Sequence, residues 1–203
     1  MGKIIIIGFV VLLFIGIGFV SCLNFGKIKG NGDIKTTRRS ILDFNSIVIN
    51  GSAVVRVHRG QTNELSLTID SNLEKYISSE VKDTILAIET RNCLGVKSTE
   101  FVIDVYTNNI NNYTINGNGS LIILDGIFEN GKSVKVIING SGTFDGGGFR
   151  PETAELIING SGKIRMGSTQ ALDIKINGSG QLLYYGDPVL KTKISGAGSI
   201  KQE

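Results

Sequence analysis

A short glycine-rich motif recurs through the second half of the chain, and it limits the folds that the chain can adopt. Three copies read Asn-Gly-Ser-Gly, with one variant before them and one after. The five copies are Asn116-Gly117-Asn118-Gly119, Asn139-Gly140-Ser141-Gly142, Asn159-Gly160-Ser161-Gly162, Asn177-Gly178-Ser179-Gly180 and Ser195-Gly196-Ala197-Gly198. Their first glycines lie 23, 20, 18 and 18 residues apart, and alternating apolar residues precede the first four copies. Such a period, with strand-like alternation and glycine turns, predicts a stacked repeat of short β-strands.

The fold class predicted from this period is all-β: a single-domain parallel β-helix, or β-solenoid, with coils of about 18–23 residues. Stacked coils pair each strand with its equivalents about 4.8 Å above and below. Glycine permits positive φ at the turns and lets adjacent turns pack closely, and stacked asparagines can form a ladder of side-chain amides. The predicted structural turn positions are Asn116, Gly117, Asn139, Gly140, Gly142, Asn159, Gly160, Gly162, Asn177, Gly178, Gly180, Gly196 and Gly198, with Asn50-Gly51-Ser52 as a weaker copy upstream.

A structural role accounts for the motif better than three alternative roles do. A row of side chains presented to a ligand is the functional alternative. The Asn-Gly-Ser copies also match the acceptor sequence for N-glycosylation, which we count as a coincidence because the N-terminus is bacterial in type. Calcium binding of the Gly-Asp-rich kind needs an Asp in a nine-residue period, and this chain has neither the period nor the Asp.

The N-terminus has the pattern of a bacterial export signal. Lys3 precedes an uninterrupted run of 17 apolar and glycine residues, 4–20, which Ser21-Cys22 follows. Phe19-Val20-Ser21-Cys22 resembles a lipobox, in which the cysteine is lipidated and becomes the first residue, although Phe19 stands where an aliphatic residue is usual. A diacyl group on Cys22 would supply two acyl chains, enough for stable anchoring. The alternative is a retained transmembrane anchor, since 17 residues are at the short end of a span.

These features predict three segments along the chain. They are a lipoprotein signal peptide over 1–21, a flexible tether over 22–41 and a folded domain over 42–203. The tether is predicted because residues 23–40 are polar, contain glycine and lack strand alternation. Either form of anchor predicts an exported protein held at a membrane of the cell envelope, at the outer membrane or cell surface, or else on the periplasmic side.

Charge and cysteine content exclude several classes of partner and cofactor. Without residues 1–21 the chain has 20 basic and 18 acidic residues, and the resulting net charge of +2 is too small to indicate nucleic-acid binding. With Cys22 lipidated, Cys93 is the one remaining cysteine and is interpreted as an incidental free thiol. A disulfide framework and a multi-cysteine metal site are therefore not expected, and no cofactor is predicted.

Several segments together resemble the GIN domain, the DUF2807 family described as "putative auto-transporter adhesin, head GIN domain". The resemblance covers about residues 42–200 and lies in the order and spacing of the segments. It implies an exported bacterial β-helix protein, often a lipoprotein, with a right-handed coil, and it supplies no catalytic residues. The segments are Phe44-Asn45-Ser46-Ile47-Val48-Ile49-Asn50-Gly51, Val55-Arg56-Val57-His58-Arg59-Gly60, Asp70-Ser71-Asn72-Leu73, Leu86-Ala87-Ile88, Leu183-Tyr184-Tyr185-Gly186-Asp187-Pro188 and Ile194-Ser195-Gly196-Ala197-Gly198.

The function predicted from these observations is a binding, adhesion or scaffold module without catalysis, whose partner is a glycan or an envelope protein. The alternatives are a polysaccharide-acting enzyme built on a β-helix and an accessory or regulatory envelope protein. An enzyme of that kind needs clustered carboxylates on adjacent coils, but the available acids, Asp125, Glu129, Asp145 and Asp173, do not recur at one repeat position. His58 has no evident partner in the sequence. The adjacent Tyr184 and Tyr185 form the best pair for stacking on a sugar.

Overall fold

The computed structural model describes residues 27–90, 96–125, 133–167 and 169–203, so the predicted signal peptide, Cys22 and Cys93 lie outside the described residues. Those residues form strands and one 3-10 turn, Glu74–Tyr76. The strands are β1 (Ile28–Lys29), β2 (Ile34–Ser40), β3 (Ser46–Gly51), β4 (Val54–Arg59), β5 (Glu64–Asp70), β6 (Ile77–Lys82), β7 (Ile85–Thr90), β8 (Val96–Lys97), β9 (Phe101–Thr107), β10 (Asn112–Gly117), β11 (Ser120–Ile123), β12 (Ser133–Gly140), β13 (Thr143–Gly146), β14 (Thr153–Gly160), β15 (Lys163–Met166), β16 (Ala171–Gly178), β17 (Gln181–Tyr184), β18 (Val189–Ser195) and β19 (Ser199–Gln202). The prediction of an all-β chain is confirmed.

Nearly all of these strands belong to two sheets that share one core. Sheet I has the strand order β18-β16-β14-β12-β10-β3-β7-β6, and sheet II has the order β19-β17-β15-β13-β11-β4-β9-β5-β2. β1 and β8 form a separate parallel pair. No helix within the described ranges is long and apolar enough to cross a membrane.

Each sequence repeat contributes one strand to sheet I and the next strand to sheet II. A strand of six to eight residues in sheet I ends at the Asn-Gly pair, and a four-residue strand in sheet II follows it. Successive repeats pair in parallel and in register, so that Asn139 pairs with Asn116 on one side and with Asn159 on the other. Each motif position therefore becomes a column that runs across the sheet.

The first repeat pairs with strands that come much later in the chain. β3 and β4 lie directly beside β10 and β11, and on their other side they pair in parallel with β7 and β9. β5 pairs antiparallel with both β9 and β2, and β6 pairs antiparallel with β7. The antiparallel strands therefore close the end of both sheets that is opposite β18 and β19.

The core lies between the two sheets and is built from columns of apolar side chains. Their members are fully or almost fully buried, and full burial of one such side chain stabilises a fold by about 1.5–3 kcal/mol. Tyr113 packs across the core on Phe144 and Phe149, with ring centroids 5.2 and 6.2 Å away. The main columns are Ile47, Tyr113, Val136, Leu156 and Ile174; Ile49, Ile115, Ile138, Ile158 and Ile176; and Val55, Leu121, Phe144, Ile164 and Leu182.

The predicted flexible tether over 22–41 needs correction, because its described part from residue 28 onward is folded. β2 pairs with β5 along its whole length, and β1 pairs with β8. The sequence of β2, Ile-Lys-Thr-Thr-Arg-Arg-Ser, lacks apolar alternation because it is an edge strand whose side chains are mostly exposed. The apolar pattern that marks a half-buried strand was therefore missing from the sequence.

Asp70 holds this N-terminal segment to the rest of the domain. Its carboxylate is fully buried and accepts hydrogen bonds from the Gly32 N–H (2.6 Å), the Ser98 hydroxyl (2.6 Å) and the Thr99 N–H (2.7 Å). The hydrogen bond from Ser98 has the largest effect on the pKa of Asp70. Together the donors outweigh the effect of desolvation and lower that pKa from 3.8 to about 2. One carboxylate thus joins the segment before β2, the end of β5 and the segment after β8.

Substitution of Gly160 tests how closely the repeats approach each other. Gly160 has a φ of +130°, and a Cβ there would lie 2.5 Å from the carbonyl oxygen of Gly140. Gly32, the control, has a φ of +81° with nothing within 4 Å of its Cβ position. We expect Gly32→Ala to cost about 1–2 kcal/mol of backbone strain and Gly160→Ala to cost about 1–3 kcal/mol more from overpacking. Equal free energies of unfolding in urea would contradict the close approach.

The low pKa of Asp70 predicts how its contribution to stability depends on pH. A carboxyl whose pKa is lower in the folded state stabilises fully above its unfolded pKa of 3.8, and that stabilisation is lost as the pH falls towards about 2. The wild type should therefore be more stable than Asp70→Asn at about pH 6, and the difference should shrink between about pH 4 and pH 2. Urea unfolding across this pH range measures the difference in stability between the two proteins. The control is Glu152→Gln, which removes an exposed acid. A difference that does not change with pH would refute the role assigned to Asp70.

Candidate functional site

An asparagine ladder runs along the edge where sheet I turns into sheet II. Its members are exposed, apart from the half-buried Asn116, and from the second rung onward each side-chain Nδ2 donates to the Oδ1 of the preceding rung at 2.8 Å. The ladder expected from the sequence is thus present, and Asn50 extends it by one rung. Ser195 takes the next register position after Asn177. The rungs are Asn50, Asn116, Asn139, Asn159 and Asn177.

The two glycines of each motif meet different steric demands. The first, as in Gly160, has positive φ and lies against the carbonyl oxygen of the first glycine in the preceding repeat. The second, as in Gly162, lies over the core, where a Cβ would be 2.6 Å from Cγ2 of Ile138. The ladder and both glycines therefore have a structural explanation. A middle amide still has one free N–H and one free lone pair, which makes this edge polar at every rung.

The outer face of sheet II carries a first group of polar and aromatic side chains, which we call the His58 cluster: His58, Asp104, Tyr106 and Asp125. The His58 Nε2 lies 2.8 Å from an Asp104 oxygen, and Nδ1 lies 3.9 Å from an Asp125 oxygen. The Tyr106 ring stacks on the imidazole at 4.6 Å between centroids. β4 supplies the histidine, β9 supplies Asp104 and Tyr106, and Asp125 follows β11.

The chemistry of the His58 cluster favours binding over catalysis. In the described part of the chain, His58 forms its hydrogen bond with Asp104, and no serine, threonine or cysteine side chain is bonded to it as a nucleophile would be. Asp125 also accepts a hydrogen bond from the Arg59 backbone N–H at 2.9 Å. An open cavity of about 630 Å³ borders the cluster and is lined by Arg59, Gly60, Gln61, Asn108 and Asp125.

A second group on the same face, the Arg165 cluster, lies several strands away: Asp145, Arg165, Tyr185 and Glu203. The Arg165 guanidinium donates to the Tyr185 hydroxyl, lies 5.2 Å from that ring's centroid, and approaches Glu203 (3.5 Å) and Asp145 (4.0 Å). The pKa of Glu203 is lowered, first by its hydrogen bond with Tyr185 and then by the charge of Arg165. The result is a half-exposed aromatic ring with fixed charges around it.

The structure separates the residues that the sequence singled out as possible site residues. Tyr184 points into the core and Tyr185 points outward, so the two do not form a sugar-stacking pair. Asp125 and Asp145 belong to different clusters on sheet II. Asp173 lies on sheet I and pairs with Lys191 at 2.7 Å, while Glu129 falls outside the described residues.

Sequence reasoning missed the partners that complete both clusters. Asp104 and Tyr106 lie in β9 and meet His58 only because β4 and β9 pair in parallel. No pattern in the sequence singles out Arg165 or Glu203, although strand alternation predicts the outward position of Arg165. In the described ranges, no three His, Cys, Asp or Glu side chains form a group that could hold a metal ion.

The family of the chain follows from its sequence. The family described as "Putative auto-transporter adhesin, head GIN domain" matches residues 43–131 and 124–188. The chain belongs to this family. No curated protein matches the chain.

Three solved structures are similar to this chain, and the first of them agrees with the assignment at the level of fold. A putative adhesin from Bacteroides fragilis is 18% identical, with a TM-score of 0.59 over 87% of this chain and 100% of its own. A putative adhesin from Parabacteroides merdae is 19% identical, with a TM-score of 0.44 over 87% and 99% of the two chains. A putative lipid binding protein from Parabacteroides distasonis is 23% identical, with a TM-score of 0.44 over 88% and 100%.

Removing single rungs tests the ladder. Asn159→Ala removes two hydrogen bonds, those to Asn139 and from Asn177, whereas Asn177→Ala removes one. Exposed amide bonds compete with water, so we expect a loss of about 1–2 kcal/mol for Asn159→Ala and about half of that for Asn177→Ala. Chemical denaturation measures both, with the exposed Ser161→Ala as control. Losses no larger than the control's would mean that the ladder does not stabilise the fold.

Proposed function

We propose that the chain is an exported, membrane-anchored binding module whose contact surface is the outer face of sheet II. In this proposal the repeats form a right-handed parallel β-solenoid, the form that the family resemblance implies. The outer faces of its stacked strands form a rigid surface. The partner is a glycan or an envelope protein, and the chain performs no catalysis.

The observation that carries this proposal is the pair of polar and aromatic clusters on one face of a rigid sheet. Tyr106 and Tyr185 both lie on that face, each with charged groups fixed beside it. Half-exposed aromatic rings beside hydrogen-bonding groups are frequent anchors of binding surfaces. Because the strands already hold these side chains in place, little conformational entropy is lost when a partner binds.

The arrangement of the acids supports binding over glycan cleavage. Glycoside hydrolysis uses two carboxylates that flank one bond, one of them as an acid with a raised pKa. Asp104 and Asp125 lie on either side of His58, at 2.8 and 3.9 Å from its ring nitrogens. The pKa of Glu203 is lowered, the opposite of what a general acid needs.

The anchor belongs to the same proposal. Lipidation of Cys22 after removal of residues 1–21 would hold the domain at the cell envelope, at the outer membrane or the cell surface. Family membership supports an envelope location, since its members are described as adhesin head domains.

A binding screen against glycans and envelope components tests the proposal. We expect a saturable hit that weakens at least tenfold in Tyr185→Ala, which corresponds to about 1.4 kcal/mol. Tyr76→Ala is the matched control, because Tyr76 is the last residue of the 3-10 turn and lies outside both clusters. A hit unaffected by Tyr185→Ala and by Tyr106→Ala would place the contact elsewhere. Cleavage of the bound glycan during the assay would refute the absence of catalysis.

A further inference from the structure

The folded domain begins very close to the predicted lipidation site. Lys27 is the first described residue, five positions after Cys22 (27 − 22 = 5). Five extended residues span at most about 18 Å. If Cys22 carries the anchor, as the proposed function holds, this corner of the domain stays within that distance of the membrane.

The N-terminal segment is fixed to the domain, so the short connection also limits the domain's orientation. β1 pairs with β8, and the Gly30 N–H donates to the Lys97 carbonyl at 2.9 Å. The Asn31 backbone N–H and side chain bond to Asn72 and Ser71 at 3.1 and 3.0 Å. The buried Asp70 carboxylate binds the Gly32 N–H. An anchor at Cys22 would therefore act on a rigid corner of the domain, because the chain is folded from β1 onward.

Three exposed lysines occupy that corner: Lys27, Lys29 and Lys97, which we call the lysine corner. Lys29 and Lys97 are direct register partners of the parallel pair, whereas their neighbours Ile28 and Val96 pack against the core. Like charges directly opposite each other destabilise a strand pair. None of the ion pairs among the described residues involves these three lysines. Packing against the core explains why Ile28 and Val96 are apolar, but it does not explain why lysines stand next to them.

A second register pair of lysines, Lys175 and Lys193 on sheet I, differs from the pair at the lysine corner because Lys175 has acid partners. On the outer face of sheet I, Lys135 and Lys175 both bind Glu155, at 2.8 and 2.9 Å. Both of these cations therefore have an acid in the adjacent strand. The exposed acids nearest to these lysines in the sequence are Asp33 and Glu100, and no ion pair among the described residues joins either of them to the three lysines.

We propose that the lysine corner lies against the membrane and binds the phosphate groups of anionic lipid headgroups. Lysines close to an anionic leaflet are attracted to it within about a Debye length, roughly 10 Å in moderate salt. This contact orients the sheets with their antiparallel end towards the membrane. β18 and β19, at the opposite end of both sheets, then point away from it.

Lysine footprinting on the full chain tests this orientation. The chain is reconstituted into vesicles of phosphatidylcholine, with or without phosphatidylglycerol, and its lysines are acylated and quantified by mass spectrometry. We expect several-fold protection of Lys27, Lys29 and Lys97 in anionic vesicles, with loss of protection in high salt. Lys163 and Lys193, in β15 and β18, are the exposed internal controls and should react equally in all samples.

The outcomes separate this inference from the function on which it rests. Flotation with the vesicles reports anchoring, and a chain that does not float overturns both the anchor and the lysine contact. A chain that floats with equal reactivity at the lysine corner and at the controls overturns the contact alone. Protection that is the same in both vesicle types, or that soluble phosphate produces in detergent, overturns the assignment to anionic lipid. The partner binding that the glycan screen tests does not depend on any of these results.

Discussion

Parallel in-register pairing between repeats constrains every other part of this structure. Because adjacent strands lie about 4.8 Å apart, each residue meets its own equivalent in the next repeat at that distance. A side chain can be used at a position only if it tolerates a copy of itself, or a suitable complement, directly above and below. At the corners the spacing is so tight that a Cβ on Gly160 would approach the preceding carbonyl oxygen to 2.5 Å. The same spacing lets one asparagine amide reach the next at 2.8 Å.

Different columns satisfy this constraint with different chemistry. Inside, isoleucine, leucine and aromatic residues stack on one another and exclude water. Outside, acids and bases form ion pairs across adjacent strands, and the pKa of Glu155 is lowered, first by its hydrogen bond from Lys135 and then by that from Lys175. Lys29 lies opposite Lys97, and neither takes part in the ion pairs among the described residues, whereas Lys175 opposite Lys193 binds Glu155; the proposed contact beyond the domain rests on this difference.

The two ends of the sheets are built differently, and this difference organises the proposed function. At one end, antiparallel strands and the Asp70 carboxylate bind the N-terminal segment into the domain. At the other end, β18 and β19 are the edge strands of their sheets. Tyr106 lies on a strand near the first end and Tyr185 follows a strand near the second, so the proposed contact face extends along most of sheet II. A membrane contact at the first end would leave that face accessible to a partner.

The sequence by itself determined the features that are local and periodic. The repeat length, the inward alternation, the glycine corners and the asparagine ladder all follow from residues a fixed distance apart, and each is found in the structure. The prediction of a flexible tether was wrong because an edge strand with two polar faces carries no apolar period.

Only the tertiary structure decided which distant segments meet. β3 and β4 lie between strands that come later in the chain, and no local pattern encodes that order. His58 and Asp104 are 46 residues apart, and the register of β4 against β9 brings them to 2.8 Å. Periodicity fixes which face of a strand is buried, but the choice of pairing partner depends on the packing energy of the whole sheet. The candidate site, unlike the repeat, therefore could not be assembled from the sequence.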